Sequence, residues 1–123
     1  MLKLPLQLAA LSLAGGAGAG DSEPGPYKKA ATTYRIYGGS LGDPTVPTVK
    51  NKKVAISMEG QAARELFEEI GPDKHDPCME GSGTRVRFRD KGNVMCSRSK
   101  EGEYVCSFGF DLRDGKSIGG SLC

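Results

Sequence analysis

The apolar positions of this chain change period twice. Val54, Ile56 and Met58 recur at every second residue, which puts them on one side of an extended strand. Over 61–70 the spacing becomes helical, with Ala63, Leu66, Phe67 and Ile70 at i, i+3, i+4 and i+7. Arg64, Glu65, Glu68 and Glu69 take the opposite side, and Arg64 and Glu68 are spaced for a weak i,i+4 ion pair. Gly71 and Pro72 end this helix, because Gly can turn left-handed and Pro cannot continue the ladder.

Period two returns over 84–118, punctuated by three triplets that each end in Gly: Asp90-Lys91-Gly92, Lys100-Glu101-Gly102 and Arg113-Asp114-Gly115. A three-residue hairpin loop is a type I turn closed by a residue at positive φ, usually Gly. Three such loops predict a four-stranded antiparallel meander. They also predict its register: Phe88 opposite Val94, Val86 opposite Cys96, Cys96 opposite Cys106, and Phe110 opposite Ile118. Val86, Phe88, Val94, Cys96, Cys106, Phe108, Phe110 and Ile118 then share one face, which the helix is expected to cover. Arg85, Arg87 and Arg89 fall on the other face as a cationic ridge beside Met95, Ser97 and Ser107, partly neutralised by Glu103 and Asp111.

Upstream, residues 34–37 form a short strand, and the breaker-rich 38–47 and 73–83 form loops. Residues 20–33 hold almost no aliphatic side chains and are expected to be a disordered arm. The fold class is α+β, with one helix on a four- to five-stranded antiparallel meander, in a single domain over 34–123. The order strand, helix, meander resembles the cystatin and monellin type of roll, in which one helix lies across an antiparallel sheet. The Gln-x-Val-x-Gly loop that cystatins place in a protease cleft does not occur.

Composition adds a location. Residues 1–19 begin with one Lys, continue in an apolar run and end in Ala17-Gly18-Ala19, the pattern of a secretory signal cleaved after Ala19. The run is too short and Gly-rich to anchor the chain across a bilayer. About a third of the remaining residues are hydrophobic, few for a chain that must build its own core. Export permits disulfides, and the hairpin register pairs Cys96 with Cys106, leaving Cys78 for Cys123. The leader and the spacing of Cys96, Tyr104 and Cys106 resemble those of small uncharacterised exported proteins of Gram-negative bacteria.

Chemistry is sparse. A net charge of +2 does not suit a nucleic-acid binder. No C-x-x-C or paired-His spacing supports zinc or redox chemistry, so no metal or cofactor is expected. Ser40 sits between Gly38 and Gly42, but Asp43-Pro44 forbids the helix that a nucleophile elbow requires. The single His, His75, lies in Lys74-His75-Asp76-Pro77-Cys78. This loop is similar to the Lys-Pro-His-Asp-Cys loop of periplasmic inhibitors of vertebrate lysozyme, whose His enters the enzyme cleft. Here Pro follows the acid instead of preceding the His, and no cysteine flanks the loop on its N-terminal side. The expectation is a secreted or periplasmic, non-catalytic binding protein, with Arg85, Arg87, Arg89 and His75 contacting a protein or anionic glycan; the loop resemblance implies inhibition of a protein partner. The alternatives are a small hydrolase using His75 and an envelope structural protein.

Overall fold

A computed structural model describes residues 24–122. Seven strands and one α-helix follow in chain order among them: β1 Ala31–Ser40, β2 Asp43–Thr45, β3 Lys53–Glu59, α1 Gly60–Ile70, β4 Arg85–Arg89, β5 Val94–Arg98, β6 Tyr104–Asp111 and β7 Ser117–Ile118. The strands make one antiparallel sheet in the order β2-β1-β3-β6-β5-β4, and β7 pairs with β6 beyond the end of β5. This is the α+β class with more sheet than expected. The signal over 1–19 and the first part of the arm lie outside the described residues. The arm's last three residues belong to β1, where Ala31, Thr32 and Thr33 pair with Glu59, Met58 and Ser57. The loop expected over 38–47 is largely strand as well. Pro44 is accommodated because β2 is an outer strand, where a missing N–H costs no inner ladder bond.

The β5–β6 hairpin has the expected register, with Cys96 opposite Cys106 and a disulfide between them. The other two hairpins are each displaced by one residue. In the β4–β5 hairpin Asp90 and Lys91 both take left-handed φ, 54° and 60°, and Asn93 turns helical instead of extended. The loop therefore holds four residues, Arg89 pairs with Val94, and Arg87 faces Cys96. In the β6–β7 hairpin Asp111 N bonds Lys116 O while Leu112 N is drawn to Lys52 O. Leu112 thereby joins the loop, and Ile118 pairs with Gly109.

One residue of slip exchanges the faces of a strand. Val86, Phe88 and Ile118 accordingly leave the helix side, and Arg85, Arg87 and Arg89 join it. The core on that side is Ala63, Phe67, Cys96 and Cys106, with Met58, Ile70 and Tyr104 packed around it. Phe67 meets Tyr104 edge-on at 5.4 Å. Cys106 Sγ lies 3.3 Å from Ala63 O, a packing contact, since a bridged sulfur has no proton to donate. Val86 is buried on the opposite side. There the chain 119–122 crosses the sheet so closely that a side chain at Gly120 would collide with the Phe108 backbone.

Candidate binding surfaces

The three arginines do not form the solvated ridge that the sequence suggests. They hold the end of α1 against β4. Arg85 donates to Asp73 through Nε at 2.9 Å and Nη2 at 3.2 Å, and Arg87 Nε donates to the same carboxylate at 2.8 Å. Arg87 Nη1 also donates to Phe67 O at 2.9 Å, and its guanidinium stacks 4.2 Å above the Phe67 ring. Arg89 donates to Phe88 O and Gly71 O. The last turn of α1 contains no basic residue of its own. Its C-terminal carbonyls are therefore served by cations from the neighbouring strand. Gly71 is not left-handed, with φ −14°. It is required for proximity instead, because a Cβ there would lie 2.9 Å from Arg87 Nη1. The Arg85 and then the Arg87 hydrogen bonds hold the Asp73 carboxyl down to about 2. Asp111, expected to neutralise the ridge, pairs with Arg113. Asp73 takes that part, and nothing in its spacing announces it. The antiparallel bridge between Lys74 and Val86 brings it to β4.

His75 lies on the exposed loop after Asp73 and makes no side-chain hydrogen bond among the described residues. Its neighbour Asp76 accepts from Cys78 N at 3.0 Å and caps the short 3-10 turn Pro77–Met79. Cys78 is disulfide-bonded, while the expected partner Cys123 lies outside the described residues. Arg85 and Arg89 remain exposed at the edge of the sheet, and Arg87 is largely buried. His75 thus sits on the loop beside β4, whereas the arginines face α1 across it.

A surface that the sequence reading missed lies beyond the helix on the same face. The register sets Arg89, Val94, Phe108, Ile56 and Tyr34 in one row, and Phe110, Val54 and Ile36 in the next. α1 covers neither row fully. Tyr34 is 73% and Ile36 51% exposed, with Phe110 and Leu66 also at the surface. Met58, Leu66, Val94, Phe108 and Phe110 line a groove along the flank of α1. The free outer edge of β1 borders this patch from Ala31 to Tyr37, before β2 begins to pair. The signal for it was present in Tyr34, Ile36 and Ile56, whose alternation continues that of β6.

No helix among the described residues is long and apolar enough to cross a membrane, and no group of three or more His, Cys, Asp or Glu residues among them could hold a metal ion. Comparison with protein-family models, curated proteins and solved structures finds no match.

Proposed function

We propose that this chain is a secreted or periplasmic, non-catalytic binding protein that docks a protein partner on the uncovered half of its helix-side face, in the manner of an inhibitor or adaptor. The observation that supports this most is the contiguous apolar surface formed by Tyr34, Ile36, Leu66, Phe108 and Phe110. Large exposed side chains gathered on a flat sheet are the anatomy of a protein contact. Arg89 closes one row of that surface and is exposed. The partner is accordingly an apolar patch flanked by a carboxylate. The leader over 1–19 and the Cys96–Cys106 bridge support export.

The test compares wild type with the Tyr34→Ser/Ile36→Ser double variant, both with the disulfide intact, for retention of a defined protein from envelope and host-secretion extracts at physiological salt. At least a tenfold loss in the variant is expected, with His75→Ala unchanged. Equal retention by wild type and variant overturns the reading. So does a wild-type dimer in light scattering that the variant dissociates, because a second copy then fills the surface. Retention of acidic polymers alone, lost at physiological salt, also overturns it and leaves glycan binding.

A further inference from the structure

The opposite side of the sheet carries a separate recess, a cavity of about 300 Å³ lined by Ser57, Ser97, Ser107, Val86, Met95 and Val105, with Met79 and the chain 120–122 completing its wall. Its floor follows from the register. Ser57, Ser107 and Met95 form one row across β3, β6 and β5, and Val105, Ser97 and Val86 form the next across β6, β5 and β4. Ser107 is only 7% exposed, and its hydroxyl finds no hydrogen-bond partner among the described residues. Ser57 and Ser97, which are half-buried, likewise make no side-chain hydrogen bond among the described residues. The buried hydroxyl of Ser107 is costly to a folded chain unless something else satisfies it, and Ser57 and Ser97 flank it on the floor of the recess. No lining residue carries a charge. At the rim, disulfide-bonded Cys78 precedes Met79, and Ser121 Oγ lies 3.8 Å from Met95 Sδ.

The geometry points to a binding site for an uncharged, mainly apolar small molecule that carries a hydroxyl or carbonyl oxygen, such as a medium-chain alcohol or acyl ester. The volume is at the small end for ligand pockets. The apolar body rests on Met79, Met95, Val86 and Val105, where the two thioethers adapt to its shape. The oxygen reaches Ser107, Ser57 and Ser97, whose hydroxyls both donate and accept and so serve an alcohol or a carbonyl alike. A carboxylate or phosphate would lose its water without gaining a cation. The site lies across the sheet from the surface proposed for a protein partner and stands independently of it.

The test titrates the exported, disulfide-intact protein with 1-decanol, methyl decanoate and decanoate, following the methyl NMR signals of Met79, Met95 and Met58. Met58 lies on the other face and serves as an internal control. Saturable shifts at Met79 and Met95, with Met58 still, are expected for the alcohol or the ester, and whichever binds identifies the oxygen. Decanoate should bind at least tenfold more weakly. Ser107→Ala should weaken binding roughly fivefold, as loss of one hydrogen bond would, while raising the Tm by a few degrees because a stranded hydroxyl is gone. Ser97→Leu should fill the recess and abolish binding in a folded protein. Shifts that never saturate, shifts that centre on Met58, decanoate binding as tightly as the alcohol, or wild-type affinity in Ser107→Ala would each overturn the assignment.

Discussion

The two halves of the helix-side face obey one pattern and meet different ends. Under α1, Cys96 and Cys106 pack against Ala63 and Phe67 and are closed over, with Met58 partly buried at their margin. Beyond it, Tyr34 and Ile36 alternate in the same way and stay at the surface. The reason is width. A helix is about 10 Å across and spans about two strands at ~4.8 Å spacing, whereas this sheet has six strands side by side. Alternation specifies a strand with an apolar side. It does not specify that anything in the same chain covers that side. The buried core lies in the covered half, and the open half is the surface proposed for recognition.

Four substitutions break or sharpen that contrast, in descending order of effect. Phe67→Ala removes the ring at the centre of the covered half, and chemical denaturation should show a loss of about 3–5 kcal/mol. Replacing Cys96 and Cys106 together by Ser should cost about 2–4 kcal/mol by the same measurement, with the secondary structure retained in far-UV circular dichroism. Asp73→Asn releases Arg85 and Arg87 at the helix terminus. Solvent screens this half-exposed pair, so the loss at neutral pH should be about 1 kcal/mol or less. Its pH signature is specific. The folded pKa lies below the ordinary carboxylate value, so the contribution is complete above about pH 4 and fades as pH falls towards 2. Wild type should lose stability through that window more steeply than Asp73→Asn. Ile36→Ser, in the open half, should change stability by no more than about 0.5 kcal/mol. A large loss there would mean that the open half is structural.

Local signals were legible where local geometry decided the outcome. The helix over 61–70 and the Lys100-Glu101-Gly102 loop that sets Cys96 opposite Cys106 both stand as read. The Asp90-Lys91-Gly92 loop failed because its fourth member, Asn93, leaves the strand to bond Asp90 Oδ2 and Ser117 O. Nothing in the alternation of 85–89 corrects that error, because both sides of β4 find cover. Val86 is buried on the face that the 119–122 segment crosses, and Arg87 reaches the helix side with a flat guanidinium that stacks on Phe67. Period two alone reads the three arginines as a cationic ridge, whereas in the fold Arg87 is a packing residue. The serines of the recess were hidden for a similar reason. Ser57, Ser97 and Ser107 resemble ordinary surface positions until the chain 120–122 lies beside them.

Cys106 meets two partners at unequal distances along the chain, Cys96 at 10 residues and Ala63 at 43. The first contact closes a hairpin, whereas the second needs β3, α1 and the long loop after it to come back onto β6. Loop closure over the longer span costs about 1 kcal/mol more in chain entropy, and the bridge, which bypasses residues 97–105, shortens that span only modestly. The bridge therefore ties down the hairpin and leaves most of the longer span still to be closed. The strand pairing most distant along the chain is that of β3 with β6, the joint at which the two halves of the chain become one sheet.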